Sequence, residues 1–384
     1  MDSAKDTKPS ATPAENAAKL EKALFEIKRV IVGQDELVEH MFAAFLARGH
    51  CLIEGVPGVA KTLAVETMAK VVGCSFQRIQ FTPDLVPSDI IGTRIYRASS
   101  ETFDIELGPV SSNFVLADEI NRAPAKVQSA MLEVMAEQKV SIGGETFHVP
   151  QPFLVMATQN PIEQEGVYPL PEAQRDRFLF KVLVDYPTDS EEREIVYRMG
   201  VSTPEPERIL NAEDMIDLQN ATDEVFIHNA LVDYAVRIVM ATRKPAEAGQ
   251  PGLAGHIEYG ASPRASLGLI RATRAIALLR GRDYALPQDL EAIVRDVLRH
   301  RLVLSYDAIA DGISSEQILD QLLRAIPAPT VTPRQGAQPN GSTPATPSNN
   351  NGHLPHSPPP GTTGYGPNGG GPGAPSNSTA MRQL

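Results

Sequence analysis

The 384 residues carry a formal net charge of −12, 42 % hydrophobic side chains and two cysteines. That length leaves room for about two domains. The apolar residues are too interspersed for a membrane span, which needs about 18 in a row. An acidic chain argues against broad nucleic-acid binding, which relies on Lys and Arg neutralising phosphates. Cys51 and Cys74 alone support neither a disulfide framework nor a zinc site.

The chain opens on MDSAKDTKPSATPAENAAK, which is polar and has no signal-type apolar stretch. Residues 1–19 are therefore expected to be disordered, and the protein cytoplasmic. In LEKALFEIKRVIVGQDELVEHMFAAFLARG the apolar residues recur at helical spacing, with a break at Val32-Gly33. HCLIEG reads as a short buried strand, TLAVETMAKVVG as a helix ending at Gly73, and SFQRIQF as a returning strand. NFVLADE and PFLVMATQN are near-continuous apolar runs, each ending in polar residues. Fully buried parallel strands look like this, with helices on both sheet faces. Residues 20–187 thus predict an α/β domain whose ligand crevice lies at the carboxyl ends of the strands.

Two hairpins interrupt this pattern. GTRIYRASSETFDIELGP turns at RASSE, and KVSIGGETFHVPQPF turns at Gly143-Gly144, a two-residue hairpin signal. From Pro187 the character changes. TDSEEREIVYRMG, NALVDYAVRIVMATRK, SPRASLGLIRATRAIALLRG and LPQDLEAIVRDVLRHRL are all helical, so residues 188–328 predict a second, all-helical domain. Residues 331–384 hold 11 prolines, 10 glycines, Arg334 and Arg382, and no acidic residue. Removing their +2 leaves −14 on residues 1–330. Such a composition buries too little apolar surface to offset its ordering entropy, so residues 329–384 are expected to form a disordered tail. Within it, PHSPPPG has the composition of a polyproline ligand. His148, His256 and His300 are scattered and read as exposed or capping side chains.

The chemistry concentrates around IEGVPGVAKT, residues 53–62. A Walker A loop asks for glycine immediately before its lysine, and here Ala60 stands there. The context is nevertheless that of a phosphate-binding loop: an apolar strand precedes it and a helix follows. Gly55 and Gly58 permit the turn, Lys61 would reach the terminal phosphates, and the Thr62 hydroxyl would ligate Mg²⁺. The candidate ATP cradle runs through Gly55, Val56, Pro57, Gly58, Val59, Ala60, Lys61, Thr62 and Leu63. The bland alternative is a strand–turn–helix without a ligand. NFVLADEI delivers Asp118 and Glu119 at a strand end. Asp118 can hold Mg²⁺ through water, and Glu119 can take a proton from the attacking water. An Asp-Glu pair can also simply begin a helix, but its position after the loop favours the catalytic reading. Asn160, ending PFLVMATQN, is placed to orient the same water.

With these motifs the chain resembles the MoxR family of AAA+ ATPases, within the helix-2-insert group, over residues from about 25 to 325. The family's loop reads GVPGxAKT, so Ala60 is normal there. FTPDLVPSDIIG, LADEINRAP, ATQNP, LPEAQRDRF and GASPRA resemble its other signatures. The resemblance implies a P-loop AAA+ domain followed by a helical lid, with Asn160 as sensor 1, Arg177 as the arginine finger and Arg264 as sensor 2. It places Val32 and Gly33 against adenine. In AQRDRF, Arg175 stands where the family usually has an apolar residue, which makes it a second candidate for the finger. The residues alone would allow Arg177 as a surface ion pair with Glu172 or Asp176, and Arg264 as a solvated helix-start arginine. An arginine supplied in trans contributes roughly 10³–10⁵ in rate, and a site completed by a neighbour implies a ring, by family expectation a hexamer. The implied function is a chaperone-like motor acting on protein complexes, in some relatives with a von Willebrand A domain partner. DNA-associated motors and metal-chelatase motor subunits share the architecture. A DNA-gripping hairpin would show a basic tip, whereas this one reads Gly-Gly-Glu.

Overall fold

A computed structural model describes residues 12–161, 166–200 and 204–330. Helix α1 (Pro13–Val30) begins at a capping box: Thr12 Oγ1 accepts from the Glu15 N–H, and the Glu15 carboxylate accepts from the Thr12 N–H. Residues 13–19 are therefore helical, a correction to the disordered segment expected over 1–19; residues 1–11 lie outside the described residues. Gly33 and Gln34, both at positive φ, turn the chain into α2 (Asp35–Leu46).

Strand β1 (Cys51–Gly55), α3 (Lys61–Val71), β2 (Phe76–Gln80) and α4 (Pro87–Ile91) follow. Next come the hairpin β3 (Gly92–Arg97) and β4 (Thr102–Leu107), then β5 (Phe114–Asp118) and α5 (Ala125–Glu137). The second hairpin is β6 (Lys139–Ile142) and β7 (Glu145–His148); Gly143 and Gly144 both take positive φ, as its tight turn requires. Strand β8 (Leu154–Gln159), α6 (Glu172–Arg175) and β9 (Phe180–Val184) complete the α/β part.

The central sheet is parallel, in the order β2-β5-β8-β1-β9. Its side chains alternate between two cores. Cys51, Ile53, Phe114, Leu116, Leu154 and Met156 join one, while Leu52, Val115, Ala117, Val155 and Ala157 join the other. The near-continuous apolar runs are thus explained by helices or hairpins covering both faces. Because all five strands run the same way, the ends of β1, β5 and β8 meet along one edge.

The helical part comprises α7 (Asp189–Met199), α8 (Ala212–Glu224), α9 (Asn229–Arg243), β10 (Ile257–Tyr259), α10 (Pro263–Leu279), α11 (Pro287–Leu298), β11 (Val303–Leu304), α12 (Tyr306–Ala310) and α13 (Ser315–Ala325). It is not purely helical: β10 and β11 pair antiparallel. At three and two residues they are too short to give a period-two signal. Leu231, Leu269 and Ile293 share one core with α1, α2 and α3, so the lid is packed onto one face of the sheet. No helix among the described residues is long and apolar enough to cross a membrane. The expected tail lies, from residue 331, outside the described residues.

Candidate ATP site and a second, arginine-lined cleft

The loop after β1 opens into a cleft of about 430 Å³ lined by Pro57, Gly58, Ala60, Lys61, Thr62, Leu63, Arg78, Asp118, Glu119, Thr158 and Asn160. Four segments far apart in sequence meet here because the register brings their ends together: Gln80 stands opposite Asp118, and Ala117 opposite Ala157. Gly55, Val56 and Val59 are outside the lining. A Cβ on Gly55 would come within 2.5 Å of the Val184 carbonyl, so this glycine is required for close strand packing. Val32 and Gly33 are outside this lining; Gly33 faces the Glu191 side chain of α7.

Two non-glycine residues of the site have left-handed backbones. Ala60, at φ 60° and ψ 20°, caps α3, and Glu119, at φ 55° and ψ 48°, follows β5. L-residues rarely adopt this region, and such strain clusters at functional sites. The family resemblance normalises Ala60 as a letter, yet its conformation is the one glycine ordinarily supplies.

The charges are closely paired. Asp118 is buried; its Oδ1 accepts from Thr158 Oγ1 at 2.5 Å, and its Oδ2 accepts from Arg78 Nη2 at 2.6 Å. Thr158 also accepts the Glu119 N–H at 2.9 Å. Glu119 Oε2 accepts from Gln80 Nε2 at 2.7 Å and lies 3.2 Å from Arg122 Nε. Lys61 Nζ donates to the Gly55 carbonyl. Burial pushes the Lys61 ammonium below its ordinary pKa, while Asp118, Glu119 and Glu54 pull the other way. Arg78, Gln80 and Thr158 are given no role by any motif in the sequence. Their only signal was polarity at alternate positions of SFQRIQF and within ATQN, and its meaning depends on strand neighbours.

The residues fit a magnesium nucleotide. A Cβ on Gly58, at φ +85°, would meet nothing within 4 Å, so the loop's backbone is open toward the cleft. Thr62 and Asp118 are hard oxygen donors of the kind Mg²⁺ takes. The volume is within the usual range of ligand sites.

Arg177 and Arg264 are elsewhere. They line a second cleft, of about 410 Å³, with Arg48, His50, Asp176, Arg271 and Arg301 among its walls; it shares no lining residue with the first. Arg177 Nη1 donates to the Leu132 carbonyl at 2.7 Å and makes no ion pair with Asp176. That carboxylate accepts from Arg301 Nε at 2.8 Å and Ser262 Oγ at 2.9 Å, with Arg264 Nη1 3.7 Å away. Arg264, in the first turn of α10, has a 62 % exposed side chain. Arg175 is outside this lining and lies 4.0 Å from Glu172.

The histidines need correction. His148 is exposed and His256 half-buried, but His300 is buried, with Nε2 3.1 Å from the Phe178 carbonyl. His50 is buried too, accepting the Val155 N–H on Nδ1 at 3.0 Å. Glu36, His40 and Asp296 converge, but Arg299 Nη1 holds Asp296 Oδ1 at 2.5 Å, which opposes a cation there.

Comparison with known proteins agrees with this geometry. Residues 50–180 match the ATPase family associated with various cellular activities (AAA), and residues 254–322 match the AAA lid domain. The chain is 64 % identical to Chaperone MoxR1 of Mycobacterium tuberculosis over 319 residues, 83 % of this chain and 85 % of the relative. It is 32 % identical to Protein MoxR of Methylorubrum extorquens over 336 residues, 82 % and 95 % of the two chains. A crystal structure of a Cytophaga hutchinsonii protein assigned as an ATPase superposes with TM-score 0.79 at 45 % identity, covering 83 % of this chain and 97 % of that one. The chain belongs to the MoxR family of AAA+ ATPases, chaperone-like proteins that hydrolyse ATP.

Proposed function

We propose that the two clefts are halves of one ATPase site, each completed by a neighbouring copy of the chain in a closed ring. The observation that carries this is the separation of Arg177 and Arg264 from Lys61, Asp118 and Glu119: they line different clefts of the same subunit. Arginines that serve the phosphates in such a layout must act on another subunit's nucleotide.

Within one half, the loop N–H groups and Lys61 would bind the phosphates, Thr62 and Asp118 would hold Mg²⁺, and Val32 and Gly33, outside the cleft lining, would flank adenine as the family resemblance implies. Bound Mg²⁺ neutralises phosphate charge. Glu119, fixed by Gln80 and by the hydrogen bond from its own N–H to Thr158, accepts the proton of the attacking water. Asn160 orients that water. From the other half, Arg177 and Arg264 stabilise the charge that spreads over the phosphoryl oxygens in the transition state. Arg177 rather than Arg175 is the finger on this reading, because only Arg177 lines the cleft.

The motor would act in the cytoplasm on a protein client, with a hexamer and a von Willebrand A partner as the family expectation; the Mycobacterium tuberculosis relative is called a chaperone. The hairpins support a protein client over DNA. The β6–β7 tip is Gly-Gly-Glu, and the arginines of the other hairpin are used internally. Arg94 lies 4.4 Å over the Phe103 ring, and Arg97 pairs with Asp104.

Mixing two inactive variants tests the reading. Lys61→Ala keeps its arginines and Arg177→Ala keeps its loop. Mixed assemblies are expected to regain ATP hydrolysis that neither shows alone. Additive inactivity of the mixture would refute completion in trans.

A further inference from the structure

Asp118 is the acid through which the proposed site would hold its metal, yet in this structure both of its oxygens are already engaged. Thr158 takes Oδ1, and Arg78 takes Oδ2 through Nη2 at 2.6 Å and Nε at 3.0 Å. The contact follows from strand register. Gln80 stands opposite Asp118 across the β2–β5 ladder, and Arg78, two residues earlier, projects from the same face. Arg78 lines the cleft together with Lys61 and Thr62. Its Nη2 also donates to Gln80 Oε1 at 2.7 Å, so the guanidinium has an anchor that does not depend on Asp118.

We propose that Arg78 is a charge placeholder at the metal position, neutralising Asp118 before loading and surrendering Oδ2 when Mg²⁺ and nucleotide enter. The inference rests on Asp118 being the metal-facing acid, as read above. Its physical basis is twofold. A carboxylate only 12 % exposed is costly to leave without a countercharge, and Arg78 is the cation hydrogen-bonded to its Oδ2. Mg²⁺ held by Asp118 through water would lie a few ångströms from a guanidinium on Oδ2, where two cations repel each other. Loading is therefore an exchange, in which Arg78 keeps its hold on Gln80 and its charge turns from the acid to the incoming phosphates. Such a competitor raises the Mg²⁺ concentration that the site requires, and it keeps Asp118 from capturing metal in the absence of nucleotide.

The test is a Mg²⁺ titration of the full chain, following binding of a fluorescent, non-hydrolysable ATP analogue. Arg78→Gln is expected to reach half-saturation at a Mg²⁺ concentration about fivefold lower than the unaltered chain, or lower still. Mg²⁺ alone should raise its melting temperature more. Arg78→Lys retains a cation and should keep a requirement near that of the unaltered chain, a distinction that a merely structural role for Arg78 would not produce. An unchanged or higher Mg²⁺ requirement in Arg78→Gln overturns the placeholder. Lys61→Ala separates the two levels. If it binds the analogue like the unaltered chain, the site reading itself fails. If it loses binding while Arg78→Gln leaves the Mg²⁺ requirement unmoved, only the placeholder falls.

Discussion

The two clefts of this chain handle charge in opposite ways. In the loop cleft each ionised group has a countercharge at hand: Arg78 sits on Asp118, Arg122 on Glu119, and Asp118, Glu119 and Glu54 surround Lys61. In the other cleft the lining holds one carboxylate, Asp176, shared by Arg264 and Arg301; Arg48 pairs with Asp223 outside the lining, and Arg177 and Arg271 have no carboxylate partner among the described residues. His50 lies beneath them, and burial pushes its pKa down to about 4, so it stays neutral near pH 7. In the first cleft the charges are matched by one another. The second keeps two arginines, Arg177 and Arg271, whose charge an anion from outside would balance. On the proposed reading that anion is the neighbour's nucleotide.

The largest expected effects separate the clefts by what each loses. Lys61→Ala should lose ATP binding, and with it hydrolysis. Arg177→Ala should bind the analogue normally and lose roughly 10³–10⁵ in turnover, the usual contribution of an arginine supplied in trans. Analogue titration beside steady-state phosphate release distinguishes the two. A turnover loss below tenfold in Arg177→Ala would break the contrast between the clefts, and Arg175→Ala serves as the control.

The next effect concerns acid. His50 has its pKa depressed in the folded state from 6.5 to about 4, and burial also holds His300 well below its ordinary value. A depressed histidine means that the folded chain binds fewer protons than the unfolded one. Its stabilisation is therefore present above pH 6.5 and lost as pH falls toward 4, by up to about 3 kcal/mol for His50. Asp296, raised to about 6 by burial, works in the opposite direction below that pH and offsets part of the loss. Melting temperatures from pH 7.5 to 4.5 should fall steeply, and His50→Gln should melt lower at pH 7.5 but with a shallower slope. An equal slope in the variant would place the titrating group elsewhere.

The difference between the clefts also marks what a sequence can disclose. The loop, Asp118-Glu119 and Asn160 are legible because each is a local pattern, a strand end followed by polar residues, and a parallel sheet carries strand ends to one edge whatever the details. The second cleft gathers Arg48 from just after α2, Arg177 from before β9 and Arg264 from α10. No local pattern states that these converge; only the family resemblance gave Arg177 and Arg264 their roles. Arg78 was hidden for a similar reason. Its partner is set by the β2–β5 register, and an arginine on an edge strand otherwise reads as a solvated side chain. The β10–β11 pair escaped because so few residues carry no periodicity.

The smallest effect concerns the letter that first made the loop look imperfect. Ala60 stands where a Walker A loop asks for glycine. Its φ of 60° is left-handed, a region that costs a non-glycine residue about 1 kcal/mol or more. Ala60→Gly should therefore relieve strain, raising the melting temperature by about 2 °C while keeping ATP turnover. Ala60→Val should do the reverse, since β-branched residues are outliers at positive φ, and it should weaken analogue binding as the loop distorts. If glycine lowers stability, the methyl must make packing contacts that outweigh its backbone cost. The strain at Ala60 would then be compensated within the loop itself, as the countercharges of that cleft already are.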